Sequence, residues 1–435
     1  MQHGHWRRWA AGLVAVSAAV MVLLSGCGKQ TAAQSTKKVQ IEFWYGLGSD
    51  AGKEMESIIS DFNKSQNQVT VKGVQQPDYD TTWQKVQAGL AAKKAPAVFL
   101  TDPGVVQNYG GSKGVLRDLT ADVQAKSFNA SDLLPVFTKD NKVDGHYYGV
   151  PAYGTTQIIY YNKKVLEKAG VSAKSAYATW ENVAEAAATI KQKAGTQNGH
   201  MIMWGPDNLE DMALSNGGSY LSKDGKKVAI DSQAWISAWE FARKQIWDTK
   251  NMAIISGGQG WAYWYKTIDA VMHSQAGSYT GSSGDKANLD FSYIDAAEQP
   301  GMNGHEAKPE AGALSMALPK TDTDAQAQAA FKWISYFLSK KVQGQWSMKV
   351  GYVPVRQSTN NDPDYKKYVS THPYQNVAFE QAKHASPEFI DPTKGKITDI
   401  LKNAADQVEL QNKPAATVLK AAAKQAQAAL DAVQK

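Results

Sequence analysis

From Lys38 onward the apolar positions switch repeatedly between two periods. Val39, Ile41 and Phe43 recur every second residue, as on one face of a strand. Met55, Ile58, Ile59 and Phe62 follow at helical spacing, with Ser49 and Asp50 as candidate caps. Val69 to Val71 reads as a second strand, Trp83, Val86 and Leu90 as one helical face, and Ala97 to Leu100 as a short buried strand introduced by Pro96. Strand, helix, strand, helix, strand in this order predicts parallel α/β packing.

The alternation resumes after Tyr147. Tyr148 to Ala152 and Gln157 to Tyr161 are strand-like, with Gly154-Thr155-Thr156 between them. A helix over Lys163 to Ala169 closes at Gly170, and another starts after Thr179, with Trp180, Val183, Ala187 and Ile190 facing inward. Met201 to Trp204, Ala270 to Met272 and Phe291 to Ile294 read as further strands. Trp235, Trp239, Ala242 and Ile246 line one face of a long helix. Ala311 to Leu318 is strand-like, helices follow over about 325–338 and around Val342 and Trp346, and Gly351 to Arg356 looks extended. The tail is a helix opened by Pro414, with Val418, Leu419, Ala422, Leu430 and Val433 as its apolar side.

The first 26 residues follow a different logic. Arg7 and Arg8 precede an apolar run from Ala10 to Leu24, and small residues at Ser25 and Gly26 come next, so residues 1–26 read as a secretory signal. Cys27 is the sole cysteine, so an intrachain disulfide or a cysteine-built metal site is ruled out. Leu24-Ser25-Gly26-Cys27 resembles the bacterial lipobox, which implies lipidation of Cys27 and residues 27–38 as a lipidated tether. A buried inert thiol is the alternative. The expected location is the outer face of the cytoplasmic membrane, held by the lipid anchor.

Composition narrows the function. Hydrophobic residues make up 43% and charged residues 20%, an ordinary globular balance. Removing residues 1–26 takes away two arginines and no acid, so the formal net charge falls from +6 to +4. With no basic block and no basic stripe interleaved with aromatics, nucleic acid is not an expected partner. The chain lacks a Walker loop, a dinucleotide glycine fingerprint and a Gly-x-Ser-x-Gly elbow, and its eight histidines are scattered. No cofactor, no metal and no catalytic residue is therefore expected. Paired carboxylates could build a surface-anchored glycoside hydrolase, the further alternative, but 41 acids guarantee chance pairs, so their presence does not single out that chemistry.

Four stretches together carry a resemblance: Phe43-Trp44 closing the first strand; Ala95 to Leu100 before Asp102; Tyr160-Tyr161-Asn162-Lys163 through Gly170 to Thr179-Trp180-Glu181; and Gly351-Tyr352-Val353-Pro354-Val355. In order and spacing they resemble the extracellular solute-binding proteins of ABC importers, and among them carbohydrate-binding family 1, which includes the maltose-binding and glycerol-phosphate-binding proteins. The resemblance implies a two-lobed α/β fold of mixed, mostly parallel sheets flanked by helices, with three hinge crossings. The N-lobe would hold 38–151 and 316–353 and the C-lobe 154–312 and 356–435. It also implies a monomer that closes on a sugar-like small molecule and hands it to membrane permease subunits.

Ligands in open α/β sheets sit beyond the carboxyl ends of the strands, which directs attention to Trp44, Asp102, Tyr153, Thr155, Trp204 and Tyr279. With 13 Trp and 19 Tyr in the chain, these ends suggest an aromatic, neutral-polar cleft suited to sugar. Trp44 can line the cleft or pack on the opposite strand face, and Trp204 ends a strand before Gly205-Pro206. Asp102 can accept ligand hydroxyls or cap the next turn. The resemblance adds Tyr79 and Gly312 as ligand contacts. Trp261 is the cleft candidate of a cluster with Trp264 and Tyr265, whereas Trp180, Trp235, Trp239 and Trp346 sit at core spacing. Glycerol-phosphate binders of the family place an arginine where Asp391 to Thr398 offers only Lys394 and Lys396, and an acid where Pro103 stands. A phosphorylated ligand, glycerol phosphate or a glycerophosphodiester, is the second reading.

Overall fold

A computed structural model describes residues 38–434; the expected signal, Cys27 and most of the tether lie outside the described residues. In chain order the strands are β1 (Val39–Tyr45), β2 (Val69–Gln75), β3 (Val98–Thr101), β4 (Lys142–Val143), β5 (His146–Tyr147), β6 (Val150–Asn162), β7 (Asn198–Met201), β8 (Met252–Ala253), β9 (Ala276–Ser282), β10 (Ile294–Ala297), β11 (Glu310–Ala317) and β12 (Ser386–Pro387). Hydrogen bonding orders the main sheet β2-β1-β3-β11-β6-β9-β7-β8, with β10 on β6 and β12 on β11. Strands β1, β2 and β3 pair in parallel, as the alternating pattern predicts.

The sheet divides along β6. From Val150 to Thr156 this strand pairs antiparallel with β11, and from Gln157 to Tyr161 with β9. It is one unbroken strand rather than the two expected, and its change of partner falls just past the expected Gly-Thr-Thr break. Two large buried clusters pack against the sheet, and the first runs across β6 to include Met201, Tyr279 and Ile294. Phe43, Phe62, Trp333 and Trp346 anchor one cluster, and Trp180, Trp235 and Trp239 another. All four tryptophans read as packing residues are fully buried. This mixed α/β architecture is the two-lobed solute-binding fold.

Local sequence explains most of the helices. Thr179 caps Trp180–Ala194 by accepting from Asn182 N, and Gly170 ends Lys163–Ala169 at φ +68°, a conformation glycine adopts without a Cβ penalty. Several expectations shift. The N-cap of Ser49–Ser65 is Gly48, without a side-chain cap. Ala270 to Met272 is the end of helix Ala262–Met272; its buried Ile268 and Val271 show helical spacing that three apolar residues alone could not reveal. The strand expected at Met201–Trp204 ends at Met201; two residues on, Met203 N already donates to Asn208 Oδ1 of the following helix. The strand expected over 291–294 begins only at Ile294. Val433 is 47% exposed rather than on the apolar side of the last helix. Among the described residues no helix is long and apolar enough to cross a membrane.

Candidate functional site

A cavity of about 780 Å³ opens at the carboxyl ends of β1, β3, β7 and β9, where loops leave the sheet and can converge on a ligand. On one side Gly46 to Gly48, Tyr79 and Asp102 line it; on the other, Trp204 to Asp207, Trp261 to Tyr265 without Ala262, and Ser282. Gly46 is forced by packing, since a Cβ there would stand 2.2 Å from the carbonyl carbon of Asp78. This close approach sets the β1 loop against the turn that presents Tyr79.

Of the residues expected from sequence, Tyr79, Asp102, Thr155, Trp204, Trp261 and Gly312 line this one cavity. Thr155 Oγ1 lies 3.3 Å from Ser282 Oγ, and Trp261 is 40% exposed. At Gly312 a Cβ would meet Glu388 Oε2 at 1.9 Å, so the missing side chain makes room for that carboxylate.

Three expected residues stand elsewhere. Trp44 is outside the cavity: it lies on the opposite face of β1 from Phe43 and Tyr45, packs with Val86 and Phe99, and donates from Nε1 to Glu42 at 3.0 Å. Strand alternation decides this, since the inward face already belongs to Phe43 and Tyr45. Tyr153, fully buried, supports the wall from behind. Its hydroxyl lies 3.1 Å from that of Tyr79, and its ring packs on Tyr352 at 4.5 Å. Burial pushes the Tyr79, Tyr153 and Tyr352 hydroxyls well up, so all three are neutral donors and acceptors. Tyr279, also fully buried, stacks on Tyr160 and donates to Asp285 Oδ2 at 3.2 Å.

The chemistry of the wall differs from the neutral-polar cleft expected. Asp78, Asp80 and Asp102 line one side. Asp207, Asp211, Asp285, Glu310, Glu388 and Asp406 bring the carboxylates to nine, and Lys402 is the one basic residue among the lining side chains. Burial pushes Asp102 up to about 6, with the charge of Asp80 adding to it. Burial likewise raises Asp211 and Asp285 to about 7 and Glu388 to about 8. Near neutral pH these groups are divided between hydroxyl-accepting carboxylates and acids that can donate.

Most of the acids are held in place. Trp264 Nε1 donates to Asp285 Oδ1 at 2.7 Å. Gln157 Nε2 donates to Asp207 Oδ2 at 3.1 Å, and Glu310 N to Asp211 Oδ1 at 2.7 Å. Trp204 Nε1 donates to Asp406 Oδ1 at 2.7 Å. Asp391 accepts from Thr393 N and Thr398 N as a local cap, and neither Lys394 nor Lys396 reaches the cavity lining. Among the described residues no group of three or more His, Cys, Asp or Glu is arranged to hold a metal ion.

Sequence reasoning passed over Glu388, Asp207, Asp285 and Tyr352 as site residues. Tyr352 belonged to a noted motif, and Trp264 to a noted cluster. Asp406 and Lys402 share helix Lys396–Glu409 at i and i+4, a spacing that marks one helical face. Glu388 lies on irregular backbone and left no periodic signal.

A two-lobed α/β fold with a large cavity at its strand ends defines a class, the solute-binding proteins. The family model described as "Bacterial extracellular solute-binding protein" matches residues 57–373, and the chain belongs to that family. A sn-glycerol-3-phosphate-binding periplasmic protein, UgpB of Agrobacterium fabrum, is 25% identical over 73% of this chain and 74% of its own length. UgpB of an Escherichia coli O1:K1 strain is 23% identical over 80% and 81%. Among solved structures, the GacH receptor of Streptomyces glaucescens, known unliganded and with acarbose, superposes with a TM-score of 0.80 at 19% identity, covering 91% of this chain and 99% of GacH. UgpB from Mycobacterium tuberculosis in complex with glycerophosphocholine gives 0.79 at 21%, covering 92% and 100%.

Proposed function

We propose that this chain is the lipid-anchored substrate-binding subunit of an ABC importer. It captures a sugar or oligosaccharide between two lobes, closes on it, and delivers it to a membrane permease without chemical turnover. The anchor is a lipidated Cys27 after removal of residues 1–26, and the working form is a monomer on the outer face of the cytoplasmic membrane. In this reading the N-lobe holds 38–151 and 316–353 and the C-lobe 154–312 and 356–435, and ligand favours closure to the extent that it touches both.

The observation that carries the reading is a single cavity in which aromatic rings and hydrogen-bonding carboxyls converge from both halves of the sheet. Trp204, Trp261 and Tyr263 can cover the C–H faces of a sugar, while Asp102, Thr155 and Asp285 pair with its hydroxyls. The glycerol-phosphate reading draws support from the relatives that bind that ligand. Against it stands a wall of nine carboxyl groups, part of them ionised, with one lysine and no arginine, a poor partner for a phosphate dianion.

A thermal-shift panel of neutral sugars, oligosaccharides, glycerol phosphate and its diesters tests the proposal, followed by calorimetry on the hits. Neutral sugars are expected to raise the melting temperature by mass action. Tight binding of a phosphate ester with none of the sugars overturns the ligand class. Turnover of a bound glycan that disappears when one carboxylate is replaced overturns the transport role in favour of a glycosidase.

A further inference from the structure

The charge of the cavity outruns what a neutral sugar asks for. Sugar hydroxyls need a few acceptors, whereas this wall presents nine carboxyl groups against Lys402. The acids are not spread evenly over the rings. Trp204 and Tyr263 meet at 80° with centroids 5.0 Å apart, and Trp261 lies 6.4 Å from Tyr263 at 40°. These three rings form a corner, and carboxyls crowd it. Asp207 lies three residues after Trp204, and Asp406 is bonded to the Trp204 indole. Glu409, 1% exposed, accepts from Gly205 N at 3.1 Å through Oε2. Its Oε1 is buried with no hydrogen-bond partner.

Asp207 lines the cavity together with these three rings, whereas burial holds the Glu409 carboxyl well above its ordinary range, toward the neutral form. A ring corner with carboxylates behind it suits a cation on two counts. The ring faces carry the negative part of the aromatic quadrupole, and the carboxylates supply the countercharge.

We propose that the solute carries a cationic nitrogen, an ammonium or a protonated amine, seated in the corner of Trp204, Tyr263 and Trp261 against Asp207. The inference rests on the solute-binding reading above and names its ligand class. The remainder of the ligand is polyol-like and spans the cavity toward Asp102 and Tyr79. Burial raises Asp207 above the ordinary carboxylate range, and the charge of Lys402, on the same helix as Asp406, opposes that rise.

Two shape-matched pairs that differ in charge test this by calorimetry on the purified protein: choline against its neutral isostere 3,3-dimethyl-1-butanol, and glucosamine against glucose. The charged member of at least one pair is expected to bind at least tenfold more tightly. Asp207→Asn is expected to cut that preference at least fivefold, and Asp406→Asn, which keeps an acceptor for the Trp204 indole, to weaken it less. Equal or tighter binding of the neutral members, no binding by either charged member, or a preference untouched by Asp207→Asn in a folded variant overturns the inference. If neutral sugars still bind, the sugar reading survives that failure. If choline binds and no sugar does, the cation site stands and the sugar reading falls.

Discussion

The indole of Trp204 donates to Asp406 Oδ1 at 2.7 Å while its ring meets Tyr263 edge to face. One side chain is thus fixed at both ends, by a charge-assisted hydrogen bond and by an aromatic contact. Trp204→Phe keeps the ring but strips the donor, and Trp204→Ala removes the wall. Ligand affinity is expected to fall several-fold in the first and at least tenfold, about 1.4 kcal/mol, in the second. Calorimetry with a ligand from the thermal-shift panel measures both.

Gly312 and Glu388 share a space that admits only one of them in full. A Cβ at Gly312 would lie 1.9 Å from Glu388 Oε2, so Gly312→Ala must swing that carboxyl into the cavity or out of it. Because the obstacle is the end of a flexible side chain, the stability cost is expected at the low end of overpacking, about 1 kcal/mol. Ligand binding is expected to weaken at least tenfold. Denaturant unfolding and calorimetry on the same variant separate the two effects.

Gly46→Ala tests a less yielding contact. The added Cβ would meet backbone at Asp78, at 2.2 Å, and neither loop can rotate away as a side chain can. A loss of about 2–3 kcal/mol in urea unfolding is expected, with weaker ligand binding because Tyr79 follows Asp78.

Asp285 couples the site to pH. It is buried, held by Trp264 and Tyr279 and raised by burial to about 7, while the unfolded chain titrates near 3.8. Between those values the folded state binds the extra proton, so the contribution of Asp285 is full below about pH 4 and declines as pH rises to about 7. His200, lowered by burial to about 3, acts oppositely, gaining stability up to about 6.5. Comparing the wild type with Asp285→Asn cancels the histidine. Between pH 5 and pH 8 the wild type is expected to lose about 2 kcal/mol more than the variant; equal losses would contradict the burial-driven shift.

How much could be read from the sequence depended on periodicity. β1, β2 and the helices bearing Trp180, Trp235 and Trp346 announced themselves because their buried faces repeat at 2.0 or 3.6 residues, and β3 because it is a short continuous apolar run, buried throughout. The break expected inside β6 misled because Gly154 and two threonines look like a turn. In the structure Gly154 is instead a packing glycine, with the Phe137 ring 2.3 Å from where a Cβ would lie. Trp44 was ambiguous because strand alternation gives two faces but not which one meets the cavity. The acids of the site come from helices, a strand start, loops and an irregular segment far apart in the chain, and their convergence is a tertiary fact. For the same reason composition suggested a neutral cleft while the fold assembled a carboxyl-rich one.

Gly154 and Val353 exchange both backbone hydrogen bonds, N to O at 2.7 Å and 2.8 Å, and β11 is laddered to the same stretch of β6 from the other side. Three passes of chain are therefore riveted abreast like the leaves of a spring. A bend introduced at Gly154 loads the hydrogen bonds on both of its flanks as well.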